Sequence, residues 1–142
     1  MSKVESHFEP IEHTADVGYR LFAPTLQALF VAAGRALFAT ITDLESIRRT
    51  LSAEISVTAS DRESLLVTWL AELNYRCITA RDLFCEFSIE ALTPTSIRAV
   101  AQGEKIDPSR HEIFTEIKAV TYHGLYVRES DTGWEAQVIF DV

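Results

Sequence analysis

The groups in this chain best suited to chemistry are carboxylates. The stretch "EHTADVGYRLF" (12–22) sets Asp16 directly ahead of the apolar alternation Val17, Tyr19 and Leu21, and the closing "VIFDV" (138–142) sets Asp141 beside Val142. A carboxylate next to a buried strand is costly unless something pairs with it. Asp16 reads either as a turn residue accepting nearby backbone N–H groups or as half of a cation site. Asp141 falls on the face opposite Trp134, Val138 and Phe140, and the terminal carboxylate of Val142 lies next to it. A solvated chain end is the competing reading. If Asp16 meets residues 141–142, three anionic groups repel until a cation neutralises them. Hard oxygen donors without Cys or His favour Ca2+, or Mg2+, over Zn2+. Spacing alone does not bring residue 16 to residue 141. Asp43, at the end of "ATITD", is a lesser candidate: a negative charge at a helix C-terminus opposes the macrodipole, although an exposed loop acid also accounts for it.

Two segments carry the helical period that would position these groups. Leu26, Leu29, Phe30, Ala33, Leu37 and Ile41 form one stripe behind Pro24-Thr25, which supplies a start and a cap, and this predicts a helix over 26–41. Leu66, Trp69, Leu70, Leu73 and Cys77 repeat the spacing behind "SDRE", where Ser60 and Glu63 stand as a capping box, and predict a helix over about 61–79. The remainder alternates with period two. Leu51, Ala53, Ile55 and Val57, then Cys85, Phe87 and Ile89, then Ile97, Ala99 and Ala101, then Trp134, Ala136, Val138 and Phe140, each mark one face of a half-solvated strand. Short turns at 93–96 and at "ESDTG" (129–133) join neighbouring runs as antiparallel hairpins.

The order is strand, strand, helix, strand, helix, then a strand-rich second half. That order predicts an α+β two-layer sandwich, with two amphipathic helices packed on a mixed, mostly antiparallel β-sheet. Phe22, Leu29, Phe30, Leu37, Leu66, Trp69, Phe87, Val138 and Phe140 are the expected core anchors. With 142 residues, residues 1–142 read as one domain.

Other classes find little support. A net charge of -8 with scattered basic residues leaves no stripe for a phosphate backbone, so direct nucleic-acid binding is not expected. The glycines are isolated, with no GxGxxG and no Walker loop, and no serine lies in a GxSxG elbow. The four histidines show no HxH or HxxxH spacing. Cys77 and Cys85 read as reduced thiols of a cytoplasmic protein. The start, "MSKVESHFEP", lacks a signal-peptide core, and the weakly charged stretch Leu21–Thr42 reads as an amphipathic helix, so no membrane association is expected.

The motifs "HTADVGYRLF" (13–22), "TLQALFVAAGRALFATITD" (25–43), "EIKAVTYHGLYV" (116–127) and "WEAQVIFDV" (134–142) resemble the archease family, in the same order and over nearly the whole chain. "KAVTYH" and "VIFDV" are the specific parts. The resemblance implies a non-enzymatic accessory protein of the RtcB-type RNA ligase, which uses GTP and a divalent metal to join ends carrying a 2',3'-cyclic phosphate or 3'-phosphate. It would promote ligase guanylylation and multiple turnover in tRNA splicing and RNA repair. The resemblance also implies a calcium-type metal site at Asp16, Asp141 and Val142, with Val142 contributing backbone or carboxylate oxygen. Lys118 and His123, in the distinctive segment, are secondary candidates for support or partner contact. Gln27 and Ala28 replace the acids the family often carries early in the first helix, and Gly124 stands where a larger or polar residue is expected. Two rivals remain: a small metal-dependent hydrolase using the same carboxylates, and a general chaperone-like module stapled by calcium.

Overall fold

The computed structural model describes residues 4–11 and 16–142. His13, Thr14 and Ala15 of the "HTAD" motif lie outside the described residues. The elements are β1 (His7–Ile11), β2 (Asp16–Ala23), α1 (Leu26–Ile41), a 3-10 turn (Leu44–Ser46), β3 (Leu51–Thr58), α2 (Arg62–Ala80), β4 (Asp82–Thr93), β5 (Ser96–Lys105), β6 (Ala119–Ser130) and β7 (Gly133–Asp141). The fold is α+β, with two helices packed on antiparallel strands. Those strands form two sheets, ordered β1-β2-β7-β6 and β3-β5-β4, and every described pairing is antiparallel.

α1 begins where the sequence places it. Thr25 is extended at φ -133°, ψ 162°, and its Oγ1 accepts the Ala28 N–H at 3.1 Å, satisfying one of the orphan donors of the first turn. The helix is buried over far more than one stripe: Ala32, Gly34, Ala36, Phe38 and Thr40 are buried along with the expected face. It contacts β2 and β7 of one sheet and β4 of the other, so solvent reaches little of it. That double burial explains why so long a stretch carries a single charge. Arg35 is accommodated because its Nη1 donates to the Cys85 carbonyl at 2.6 Å. Among the described residues, no helix is long and apolar enough to cross a membrane.

α2 starts one residue away from the expected box. Asp61, not Ser60, is the cap, and its carboxylate accepts the Ser64 N–H at 2.7 Å. Trp69 is fully buried and donates its indole N–H to the Phe30 carbonyl at 3.0 Å, fixing α2 against α1. Between the helices and the second sheet, Phe38 meets Phe84 edge-on at 5.7 Å, and Phe87 packs on Trp69 at 5.8 Å. Phe22 is the one expected anchor that faces away from this core. Leu21 and Ala23 point inward instead, and Phe22 stacks on His7 at 4.7 Å on the outer face of the first sheet.

Candidate metal centre

β7 is the hub of the first sheet, paired on one side with β2 and on the other with β6. Its antiparallel register with β2 sets Asp16 directly opposite Asp141 and Val17 opposite Phe140. Opposed residues in such a ladder lie about 4.5–5.5 Å apart at Cα and project to the same face. The two aspartates therefore share the outer face of the sheet at its end, each half-buried. The fully buried Phe140 anchors the ladder from the inner face. Tyr19 packs on Phe140 at 6.0 Å and on Phe8 at 5.3 Å, and its hydroxyl accepts from Thr40 Oγ1 at 2.9 Å. This bond ties the β2 side of the site to the last turn of α1.

The other flank of Asp141 is held by the start of β6. Ala119 pairs with Asp141, and the Lys118 N–H donates to the Asp141 carbonyl at 2.7 Å. Lys118 thus supports the site through its backbone, with its side chain exposed. Val142 follows directly and is half-buried. Like charges facing each other across a ladder are destabilising, and a cation between them would relieve that opposition. Two carboxylates and the oxygens of Val142 are hard donors, of the kind that suits Ca2+ or Mg2+. No group of three or more His, Cys, Asp or Glu side chains gathers as a metal cluster among the described residues.

The remaining candidates are placed differently. Asp43 caps the 3-10 turn: its Oδ1 accepts the Glu45 N–H at 3.0 Å and its carbonyl accepts from Ser46 Oγ at 2.6 Å. A charge that is unfavourable at the end of α1 is favourable at the start of the next turn, which accounts for this residue without a metal. His123 lies in a bulge of β6. Thr121 pairs with Ile139 and Tyr126 with Gln137, so four β6 residues face Val138 alone. His123 is exposed there, its N–H donating to Thr121 Oγ1 at 3.3 Å, and the register does not bring it to the aspartates. Gly124 is at φ +62°, and a Cβ there would lie 2.5 Å from Gln137 Nε2, which instead donates to the Gly124 carbonyl at 2.9 Å. A larger residue is thereby disfavoured, which explains the departure noted in the sequence.

Sequence reasoning missed the connection 106–118. It has no helix or strand, yet it is clamped at intervals. The Phe114 N–H donates to the Ile41 carbonyl at 2.7 Å, Thr42 Oγ1 to the Glu112 carbonyl at 2.7 Å, and Asn74 Nδ2 to the Ile117 carbonyl at 2.8 Å. Its root is a buried cluster on Glu104, which accepts the Arg48 N–H at 2.7 Å, the Arg110 guanidinium, and His111 Nε2 at 3.0 Å. The Asp107 N–H donates to His111 Nδ1 at 2.8 Å, so the ring proton sits on Nε2. Burial alone would raise the Glu104 carboxyl, but these donors outweigh it and hold the group at about 2. Burial pushes the Cys77 thiol up to about 11 and raises that of Cys85, so both are poor nucleophiles at neutral pH. The only sequence sign of this cluster was a pair of polar residues, Glu104 and His111, flanking a turn.

The strands define a class: an α+β protein whose early and late strands pair side by side and end in opposed acids. The model of the Archease protein family (MTH1598/TM1083) matches residues 8–142. The protein archease of Methanopyrus kandleri is 40% identical over 138 residues, covering 95% of this chain and 99% of that one. That of Pyrococcus furiosus is 37% identical over 139 residues, covering 95% and 98%. The solution structure of protein 1598 from Methanobacterium thermoautotrophicum aligns with a TM-score of 0.80 at 31% identity, over 95% of this chain and 98% of that one. The chain belongs to the archease family.

Proposed function

We propose that this protein is a non-enzymatic, metal-binding activator of an RtcB-type 3'-phosphate RNA ligase, working in the cytoplasm in tRNA splicing or RNA repair. The observation that carries the reading is the register that sets Asp16 against Asp141 in a chain of this family. Asp16, Asp141 and the oxygens of Val142 would hold Ca2+, with Mg2+ as the alternative. The ion would supply positive charge where two strands bring negative charge together. The role of the chain is to present that edge in fixed geometry: Phe140 and Tyr19 hold it from beneath, and the Lys118 N–H holds it from the side.

An accessory protein speeds guanylylation by binding the competent state of the ligase better than the incompetent one, and only to the extent of that difference. The exposed Lys118, next to the acidic end, and the exposed His123, further along β6 in its bulge, are assigned as ligase contacts. GTP-dependent guanylylation and multiple-turnover ligation by a cognate ligase test the reading. Stimulation by the wild type should be lost in Asp16→Ala and Asp141→Ala variants that retain their fold. Full stimulation by either variant would contradict it. Protection of unrelated clients from aggregation, without ligase stimulation, would instead identify a general chaperone.

A further inference from the structure

Four of the five large apolar side chains exposed among the described residues come from two segments, α2 and the 106–118 connection. Tyr75 (61% exposed) and Ile78 (47%) project from one face of α2, and Ile113 (42%) and Phe114 (54%) come from the 106–118 connection. Ile78 and Ile113, but not Tyr75 or Phe114, line a groove of about 280 Å³ together with Cys77, Ile106 and Ile117. Scattered surface apolar residues are ordinary, whereas a gathered set around a groove marks a contact site. The volume is slightly below the about 300–1,000 Å³ of small-molecule sites, which suits inserted side chains better than a cofactor.

Of the polar residues in its lining, Asn74 and Arg81 tell most about what belongs there. Arg81 lines the groove and ends α2 in the left-handed conformation at φ 61°, ψ 34°, a position that usually goes to glycine. Its side chain is exposed and makes no hydrogen bond or ion pair among the described residues. In a chain of net charge -8, this is a cation held at the rim of a groove that Glu116 and Thr115 also line, despite its backbone strain. Asn74, 6% exposed, also lines the groove. Its Nδ2 donates to the Ile117 carbonyl at 2.8 Å, which fixes the orientation of the amide, and leaves Oδ1 buried without a donor among the described residues. A buried acceptor left unsatisfied is costly, and an incoming N–H removes that cost.

We propose that this groove is the docking site for a segment of the partner protein that inserts an apolar side chain, places a carboxylate on Arg81 and offers an N–H to Asn74 Oδ1. The inference rests on the ligase reading above and adds the surface by which the ligase is gripped. The site adjoins the acidic end: Ile117 in its floor precedes Lys118, whose N–H holds Asp141. A segment seated here delivers the partner to the metal edge, so affinity and stimulation reside in neighbouring but separable surfaces.

The test is a binding titration of the cognate ligase against the full chain and its Ile78→Asp, Arg81→Glu and Asp141→Ala variants. Circular dichroism confirms the fold, and a photo-crosslinker at position 113 maps the contact. Ile78→Asp and Arg81→Glu should each weaken binding at least ~10-fold, while Asp141→Ala loses stimulation with less than ~3-fold change in affinity. The crosslink should fall on a ligase segment containing Asp, Glu or its C-terminus. Because Ile78 and Arg81 are exposed, at least one of these variants is expected to fold, and unchanged affinity in a folded one overturns the proposal. So does a crosslink to a second copy of this chain. If the wild type neither binds nor stimulates the ligase, the functional reading itself fails and takes the groove assignment with it. Unchanged variant affinity with intact stimulation sinks the groove alone.

Discussion

Two acidic regions of this molecule treat the same functional group in opposite ways. At Glu104 the chain surrounds one carboxylate with its own donors: a backbone N–H, a guanidinium and an imidazole N–H. At the end of the first sheet it sets two carboxylates against each other, Asp16 against Asp141, on a half-exposed face. The first arrangement is complete and reads as structure. The second is the place where the proposed cation would sit, between two opposed acids. A perturbed carboxylate is therefore a poor guide to function by itself; what separates the two regions is that one acid is enclosed by three donors while the other faces a second acid across a ladder.

The sharpest way to break this contrast is to delete the enclosed acid. Glu104→Ala leaves the Arg110 guanidinium, the His111 N–H and the Arg48 N–H without their acceptor, and should cost about 3 kcal/mol in chemical denaturation. An effect below about 1 kcal/mol would show that the cluster is not the lock of the 106–118 connection. At the opposed pair the expected result is a ligand effect. Calcium at 100 times its dissociation constant should raise stability by about 2.7 kcal/mol, and EDTA should reverse it. Asp16→Asn and Asp141→Asn should abolish that response. In EDTA they should be neutral or slightly stabilising, by about 0.2–1 kcal/mol, because a like-charge opposition is relieved.

Acid titration sharpens the comparison further. Glu104 is held at about 2 in the folded chain against an ordinary 4.5, so it binds protons less readily folded than unfolded. Its contribution is fully present above about pH 4.5 and is lost as pH falls toward 2. Denaturation midpoints measured across that window should fall less steeply in Glu104→Gln than in the wild type. The smallest effect is expected at the bulge beside the acidic end. Gly124→Ala forces a side chain into φ +62° and against Gln137, and should cost about 1 kcal/mol while leaving calcium binding unchanged.

Much of the fold was legible in the sequence because local chemistry specifies it. Thr25 and the stripe from Leu26 to Ile41 marked α1 with its observed bounds. The start of α2 was misplaced because Ser60 and Asp61 are both good caps, and only the backbone geometry chooses between them. Phe22 was placed inside although the parity of Val17, Tyr19 and Leu21 turns it outward, where His7 covers it. The division into two sheets was not legible, since alternation reports which face of a strand is buried but not which strand lies beside it. For the same reason the meeting of Asp16 and Asp141 came from family likeness rather than from spacing. Asp43 was noticed for a conflict with α1 that the following turn resolves. The groove beside Arg81 gave no periodic signal, because one of its walls has neither helix nor strand.

The position of β7 between β2 and β6 has a kinetic consequence. The β1–β2 ribbon leaves an unpaired edge until a partner from the far end of the chain closes it, a non-local step of the kind that slows folding. The opposed acids come into being at that same step. Whatever recognises them therefore recognises only molecules whose sheet has closed, so a half-collapsed chain remains invisible to it.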